Sequence, residues 1–196
     1  MSVSVDAHLT RLSQAEFSEI SYEVMAEIFV LHHDLGRLFD EKVYKNTLKS
    51  RMKDVQTEVE IKVSFRDFHK SYYLDVLASS GAVFELKAVD TLHQRHRSQL
   101  LNYLLLTGLK HGKLVNLRSE MVQHEFVNAT QTLNERQLFN IQDARWHPSI
   151  GFESAEQSLL IALIKDWGTG LERALYEEAL IHFFCDQKFI NNEVDV

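Results

Sequence analysis

The sequence contains little of what marks a secreted, membrane-spanning or redox-active protein. Its single cysteine, Cys185, cannot form a disulfide within the chain and lies in the apolar stretch HFFC, so we expect a buried and inert thiol. The N-terminus has no basic segment followed by an apolar one, and the longest apolar run, LLIALI, is too short to span a bilayer. These absences favour a soluble, cytoplasmic protein without membrane contacts or redox chemistry.

Proline and glycine are also scarce, with one proline and seven glycines among 196 residues. The sequence has no low-complexity run and no internal repeat, which argues against long structureless linkers. Hydrophobic residues make up 45% of the chain and charged residues 25%. This composition predicts one globular domain with a sizeable core and room for an extension.

The net charge of −7 argues against a simple nucleic-acid-binding protein, but the charge is unevenly distributed. Residues 1–130 contain 16 Lys and Arg against 17 Asp and Glu, whereas residues 131–196 contain 5 against 11. Between Asp90 and Glu120 there is no acidic residue, while several basic residues occur there. This segment either faces phosphate groups or forms a solvated basic surface, and its composition alone does not decide between them.

Hydrophobic periodicity and turn signals predict a mixed α/β core in residues 1–130. A capping box of Ser13 and Glu16 starts the first helix, and Gly36 ends it. The predicted elements, in chain order, are helices at 14–35 and 40–52, strands at 55–64, 69–78 and 82–89, a helix at 92–109, and strands at 113–117 and 121–127. This order predicts a central mixed sheet flanked by helices.

Residues 131–196 have a helical character. Capping boxes that begin at Thr132, Ser154 and Thr169 predict three helix starts, and WHPSIGF at 146–152, with the only proline, predicts a break. The roughly 45 residues after the break are too few to fold alone. We therefore expect a helical extension that packs on the core through the apolar residues Leu159, Ile161, Ile164, Leu171, Leu175 and Leu180.

Charged residues interrupt two of the predicted strands. Asp75 lies near the end of one strand, and Glu85 and Lys87 share one face of the next, across an SSG turn. Two carboxylates there would hold a hard divalent cation, while the lysine would orient a water molecule or stabilise negative charge. The alternative is a solvated sheet face with a Glu–Lys ion pair, and spacing alone favours this alternative.

The spacing Asp75-x9-Glu85-x-Lys87 resembles the catalytic core of the PD-(D/E)XK nuclease superfamily. On the following predicted helix, Gln99 and Tyr103 lie four residues apart and share a face. Their placement resembles that of the Q-xxx-Y motif in RecB-type and λ-type exonucleases.

Upstream, the stretch LHHDLGRLFDEKVY is similar to the signature of the GxxExxY family, a small bacterial branch of the same superfamily. Glu41 and Tyr44 match the glutamate and tyrosine of that signature, whereas Leu38 replaces a glycine and Arg37 lies where proline is common. The resemblance covers residues 20–128 in unbroken order.

The resemblance implies a restriction-endonuclease-like α/β fold, with a nuclease-like domain at 1–130 and a C-terminal helical extension at 131–196. It implies a nuclease that hydrolyses phosphodiester bonds of DNA with Mg²⁺ or Mn²⁺ as cofactor. The implied residues are Glu41, Asp75 and Glu85 as metal ligands, Asp75, Glu85, Lys87, Gln99 and Tyr103 as catalytic residues, and Arg95, His96 and Arg97 as nucleic-acid contacts.

Lysines of the helix predicted at 40–52 extend this expectation. Helical spacing places Lys42, Lys45 and Lys49 on its outward face. We expect at least one of the three at the rim of the same cleft, where it would offset the acidic net charge of the chain.

A non-catalytic interaction protein that retains the nuclease fold is the alternative. The net charge and Leu38 favour it, because a free-standing nuclease usually has a broader basic surface. In that case the acidic extension would bind a protein partner, and its apolar helices could also form a homodimer. The sequence does not distinguish DNA from RNA, single from double strands, or internal from terminal cleavage.

Overall fold

The computed structural model of the chain describes residues 2–142 and 153–191, with side chains described up to residue 142 and again over 155–184. These residues form a six-stranded sheet flanked by helices. In chain order the elements are β1 (Ser2–Val5), α1 (Gln14–Leu35), α2 (Glu41–Arg51), β2 (Val55–Phe65), β3 (Phe68–Ala78), β4 (Ala82–Lys87), α3 (Gln94–Thr107), β5 (His111–Asn116), β6 (Gln123–Asn128), α4 (Leu133–Arg136), α5 (Glu153–Trp167) and α6 (Arg173–Asn191).

The strands lie side by side in sequence order, from β1 to β6. β4 and β5 are parallel, and every other neighbouring pair is antiparallel. Two parallel strands need a crossover connection, which α3 provides between β4 and β5. The result is the restriction-endonuclease-like α/β fold with C-terminal helices that the resemblance implied.

The sequence patterns do not predict β1. This strand pairs with β2, from Ser2 opposite Ser64 to Val5 opposite Ile61. Its segment is too short for a period of two to stand out, and its extended conformation depends on pairing with the edge of β2.

Helices α1 and α2 cover one face of the sheet. They pack through Phe17, Val24 and Leu48 against Phe84 of β4 and Val115 of β5. Fully burying an aliphatic or phenylalanine side chain stabilises a fold by about 1.5–3 kcal/mol. This packing holds α2 against the same face of the sheet as α1.

Helix α3 and the C-terminal helices cover the opposite face. Leu100 of α3 and Leu114 of β5 belong to the same buried cluster as Trp167, Leu171 and Leu175 of the C-terminal region. The extension thus shares its core with α3 and the sheet.

The helix α5 uses different contact residues from those predicted. Its buried positions are Leu159, Leu163 and Trp167, which follow the four-residue spacing of one helix face. The predicted Ile161 and Ile164 are only half-buried.

Arg136 of α4 ties the extension to α3. Its side chain is buried, and its guanidinium donates hydrogen bonds to the carbonyl oxygens of Leu105 at 3.0 Å, Trp167 at 3.1 Å and Thr169 at 2.8 Å. These carbonyls replace water at Nη1 and Nη2 of the buried guanidinium, whereas Nε has no hydrogen-bond partner among the described residues. The hydroxyl of Thr169 donates to the Arg136 carbonyl, so the predicted capping box at Thr169 is wrong and α6 begins at Arg173 instead.

Some expectations fall outside the described residues or side chains. These are the break at 146–152, the capping box at Ser154 and the thiol of Cys185. The division of the chain near residue 130 remains a prediction. Over 2–142 and 153–191, no helix is both long and apolar enough to cross a bilayer.

Replacing Arg136 by methionine should lower the free energy of unfolding by about 3 kcal/mol or more. The reason is that buried carbonyls lose their donor, and each unsatisfied group costs roughly 1–3 kcal/mol. Arg173→Met is a matched control, because Arg173 pairs with Glu177 on the surface and its loss should cost less than about 0.5 kcal/mol. Urea unfolding measures both, and an Arg136→Met variant as stable as the parent would contradict the assignment.

Candidate active site

Asp75 and Glu85 lie side by side on neighbouring strands. The ladder between β3 and β4 pairs Val76 with Phe84, so the next facing positions are Asp75 and Glu85. Asp75 is 9% exposed and Glu85 is 1% exposed. Asp75 Oδ2 accepts a hydrogen bond at 3.0 Å from the backbone N–H of Leu86, the residue after Glu85. The structure therefore brings together the two acidic residues that the sequence spacing singled out.

The carboxylate of Glu85 is paired through one oxygen and open at the other. Lys87 Nζ donates to Glu85 Oε1 at 2.6 Å, whereas the buried Oε2 has no hydrogen-bond partner among the described residues. Burial raises the pKa of Glu85 to about 8, and the Asp75 carboxylate adds to this rise while Lys87 opposes it. An unpaired buried carboxylate oxygen is costly, so Oε2 is a natural position for a cation.

Lys87 stays protonated at neutral pH. Burial by itself would lower the pKa of its ammonium group, but the Glu85 carboxylate outweighs burial and the net pKa is raised. Lys87 is therefore a hydrogen-bond donor and a fixed positive charge in this site.

Glu41, the first residue of α2, reaches the end of β4. Its Oε1 accepts a hydrogen bond from the Ala88 N–H at 2.9 Å, directly after Lys87. After burial and Asp75, the charge of Glu41 also contributes to the raised pKa of Glu85. Glu41 thus lies beside the carboxylate pair.

The loop before Glu41 accommodates Leu38, which lies where the signature that this stretch resembles has glycine. Leu38 is 78% exposed, so its side chain needs no space in the site. The Tyr44 hydroxyl donates to the Gly36 carbonyl and holds the loop to α2. The substitution therefore does not keep Glu41 away from β4.

Lys45 contacts Asp75, and its predicted position on the outward face of α2 is wrong. Its Nζ donates to Asp75 Oδ1 at 2.7 Å and also to the Glu58 carboxylate. Burial by itself would lower the pKa of Lys45, but Asp75 and Glu58 raise it to about 12. Glu41 and Lys45 are four residues apart and share a helix face, and this spacing is the signal that would have found Lys45.

A break in strand alternation brings Lys45 within reach of Asp75. The β2–β3 ladder pairs Thr57 with Val76 and Val59 with Leu74 but skips Glu58 and Asp75 between them. The φ of Glu58 is 55°, a left-handed value that costs a non-glycine residue roughly 1–3 kcal/mol. Val59 packs with α3, whereas Val55 packs with α1 and α2, although an even spacing keeps residues on one face of a regular strand. The strand therefore changes face at Glu58, and both helical layers meet there.

Gln99 and Tyr103 approach the site from α3. Gln99 Nε2 donates a hydrogen bond to the Tyr103 hydroxyl at 2.9 Å. Burial raises the pKa of Tyr103 to about 12; Gln99 opposes this rise, and the charges of Glu85 and Asp75 add to it. The phenol is therefore protonated at neutral pH and within electrostatic range of both carboxylates.

Two shallow depressions meet at Ala88, the residue after Lys87. The first has a volume of about 590 Å³ and is lined by Asp40, Glu41, Lys42, Lys45, Asn46, Glu58 and Ala88. The second has a volume of about 550 Å³, and its basic lining residues are His93, Arg95 and Arg118. A larger depression of about 750 Å³ lies near the N-terminal segment, but no carboxylate side chain lines it. The two smaller depressions therefore carry charged residues of α2 and of the start of α3, whereas Asp75, Glu85 and Lys87 do not line either of them.

The structure separates the three predicted nucleic-acid contacts of α3. Arg95 lines the second depression. His96 is buried, and its Nδ1 accepts a hydrogen bond from the His93 N–H at 3.1 Å, so it caps the start of α3. Arg97 donates to Glu125 of β6 at 2.6 Å, because residues two apart point in different directions on a helix.

The donor set fits a hard divalent cation. Within the ranges that the structure covers, no three His, Cys, Asp or Glu side chains are grouped closely enough to form a complete metal site. Asp75 and Glu85 nevertheless supply carboxylate oxygens, and Mg²⁺ is commonly held by one or two carboxylates while water and phosphate complete its shell. The buried Glu85 Oε2, unpartnered among the described residues, suits this role.

A family model of the PD-(D/E)XK nuclease superfamily matches residues 18–128, from α1 to the end of β6. The chain belongs to the PD-(D/E)XK nuclease superfamily. The matched part of this superfamily member contains the carboxylate pair, Lys87 and the residues of α3, and it ends before the C-terminal helices.

The remaining comparisons are distant. No curated protein shows significant sequence similarity to the chain. A solved structure titled "Crystal structure of SSO0001" aligns with 59% of this chain at 22% identity and a TM-score of 0.36. The alignment spans 58% of that chain, less than two thirds of its length.

The raised pKa of Glu85 predicts that the metal-free protein becomes less stable as pH rises. The folded state holds the Glu85 proton up to a pKa of about 8, against an ordinary value of 4.5, so its contribution to stability is present at low pH and is lost between these values. The steepest loss is about 1.4 kcal/mol per pH unit.

Urea unfolding between pH 5 and pH 9 in a chelator measures this effect. Glu85→Gln cannot titrate and should flatten the slope relative to the parent. Identical pH slopes for the two proteins would contradict the raised pKa.

Proposed function

We propose that the protein is a metal-dependent nuclease that hydrolyses phosphodiester bonds of DNA. The observation that carries the proposal is the buried Glu85 carboxylate, whose Oε2 has no partner among the described residues and which lies between Asp75 and Lys87. Membership of a nuclease superfamily supports the same reaction class.

In this proposal Asp75 and Glu85 hold a Mg²⁺ or Mn²⁺ ion, and Glu41 contributes directly or through water. When bound, such an ion supplies Lewis-acid polarisation of the phosphate and lowers the pKa of a coordinated water. Lys87 keeps its proton at neutral pH, because its pKa is raised. Its ammonium group therefore orients the attacking water and stabilises negative charge that develops on the phosphate, rather than acting as a general base.

Gln99, Tyr103 and Arg95 position the nucleic-acid backbone. The Tyr103 hydroxyl is protonated and oriented by Gln99, which leaves it suited to donate to a phosphate or water oxygen. Arg95 and Arg118 give the adjoining depression a local positive charge despite the acidic whole. DNA would run from the carboxylate pair across Ala88 toward Arg95.

We assign the protein to the GxxExxY branch with a Q-xxx-Y motif. Tyr44 holds the loop at Gly36, and the same turn of α2 directs Glu41 to Ala88. These contacts give both matched signature residues a structural role, which supports the assignment.

A non-catalytic interaction protein is the second candidate. Lys45 already pairs with one oxygen of Asp75. In a protein that kept the nuclease fold but bound no metal, this ion pair would always be present, so it favours the alternative. In this case the acidic segment 131–196 would bind a protein partner.

The roles of Asp75 and Lys87 can be separated by mutation. Asp75→Ala removes a hard oxygen ligand and should weaken both Mn²⁺ binding and DNA cleavage. Lys87→Ala leaves the carboxylates in place, so Mn²⁺ binding should survive while cleavage falls by roughly 10²–10³, the usual loss on removing one preorganised stabilising group. Calorimetry and a plasmid cleavage assay with a chelator control measure the two properties.

Lys62→Ala is the matched control, because Lys62 is an exposed lysine on β2 of the same sheet. It should leave both properties unchanged. A parent protein that cuts neither single-stranded nor double-stranded DNA with either ion would favour the interaction protein.

The different positions of Arg95 and Arg97 predict different effects on DNA binding. In an Asp75→Asn background, binding should weaken steeply as salt rises, and Arg95→Ala should reduce the slope of log K against log salt by about 1. Arg97→Ala should leave the slope unchanged, because Glu125 already pairs with Arg97. Fluorescence anisotropy at several salt concentrations measures both slopes, and equal effects of the two variants would contradict the proposed path.

A further inference from the structure

The ion pair of Lys45 with Asp75 lies at the oxygen that a cation would use. Asp75 Oδ2 accepts a hydrogen bond from the backbone N–H of Leu86 at 3.0 Å, whereas the partner of Oδ1 is a side chain that can move, so Oδ1 is the oxygen that can exchange its partner for a ligand. Lys45 Nζ lies 2.7 Å from that Oδ1, and its side chain is only 10% exposed. The ammonium group and a divalent ion would therefore compete for the same atom.

Lys45 also has a second acceptor that is outside the carboxylate pair. Glu58 contacts the same ammonium group, and its side chain is 55% exposed, unlike the buried Asp75. The left-handed backbone of Glu58 places this carboxylate where α2 passes β2. If Lys45 releases Asp75, its ammonium group can therefore stay paired with the Glu58 carboxylate.

The charges of the site leave room for a further cation. Among the described residues, Glu41, Glu58, Asp75 and Glu85 supply four acidic groups against the two ammonium groups of Lys45 and Lys87, so an excess of acidic groups remains even when Glu85 holds its proton. Closely spaced carboxylates repel each other, and a buried acid that loses its only cation is strongly destabilising. Asp75 therefore needs a cation beside it in both states: the Lys45 ammonium group without metal, and the divalent ion when metal is bound.

We propose that Lys45 is an internal cation that keeps the metal-free site folded and yields Asp75 Oδ1 to a divalent ion, while Glu58 retains its ammonium group. This inference rests on the proposed metal-dependent function. Lys45 is a positioning residue in this scheme: it sets the affinity for the ion and the stability of the empty site, and Glu58 acts through Lys45 rather than as a ligand.

Replacing Lys45 by glutamine should strengthen Mn²⁺ binding about tenfold, because a competing charge is removed from the ligand oxygen. The metal-free variant should melt at a lower temperature than the parent, because buried Asp75 loses its partner. Saturating Mn²⁺ should then raise the melting temperature more in the variant than in the parent. Calorimetry without nucleic acid and thermal unfolding measure these effects.

Lys49→Gln is the matched control, because Lys49 is an exposed lysine one turn further along α2. It removes the same charge and should change neither Mn²⁺ affinity nor the metal-dependent melting shift. If Lys49→Gln increased the Mn²⁺ affinity equally, the effect of Lys45→Gln would come from the change in net charge alone, and the inference would be overturned.

Glu58→Gln tests the second half of the proposal and does not require the Lys45 variant to fold. It should weaken Mn²⁺ binding about threefold or more in the parent, because Lys45 then pairs with Asp75 alone. In the Lys45→Gln background the same change should have no effect. Weaker binding in both backgrounds would make Glu58 a ligand and overturn its assigned role.

The outcomes separate this inference from the function it rests on. A parent that binds Mn²⁺ beside a Lys45→Gln variant with unchanged or weaker affinity would overturn the inference alone. A parent that binds no divalent ion would overturn the metal-dependent function, and the inference with it.

Discussion

Burial of two carboxylates at adjacent positions of β3 and β4 is the constraint on which the rest of the site depends. Asp75 and Glu85 are nearly inaccessible to water, so their charges must be balanced by groups of the protein or by bound cations, or removed by protonation as the raised pKa of Glu85 indicates. Lys87 pairs with one oxygen of Glu85, and Lys45 pairs with one oxygen of Asp75. The raised pKa of Glu85 shows that this balance is incomplete in the metal-free state.

The fold supplies these balancing groups from both sides of the sheet. Lys45 and Glu41 come from α2 on one face, while Gln99 and Tyr103 come from α3 on the other. A regular strand would present Asp75 to one layer only. In β3, Leu74 packs in the layer of α3 and Val76 in the layer of α1 and α2, so the strand changes face at Asp75, where the ladder with β2 is also interrupted.

The C-terminal helices support the layer that carries Gln99 and Tyr103. Asn102 of α3 accepts a hydrogen bond from the backbone N–H of Glu172 at 3.0 Å. The Glu172 carboxylate accepts a hydrogen bond from the Tyr72 hydroxyl, and the ring of Tyr72 packs edge-on against Tyr103 at 6.0 Å. The extension thus contacts Asn102 and Tyr72, which neighbour the site, and its packing affects the position of the Tyr103 phenol.

The sequence by itself determined the order of the elements, the mixed sheet and the proximity of Asp75, Glu85 and Lys87. These follow from local patterns, because strand alternation, a short hairpin turn and helical spacing each act over a few residues. Only the tertiary structure decided that Lys45 is buried and that β1 completes the sheet. Each of these depends on contacts between residues far apart in the chain. Lys45 gains its carboxylate partners, and β1 its neighbouring strand, only when distant segments pack together. The spacing of Glu41 and Lys45 places both on one helix face, but it does not say which distant residues that face contacts.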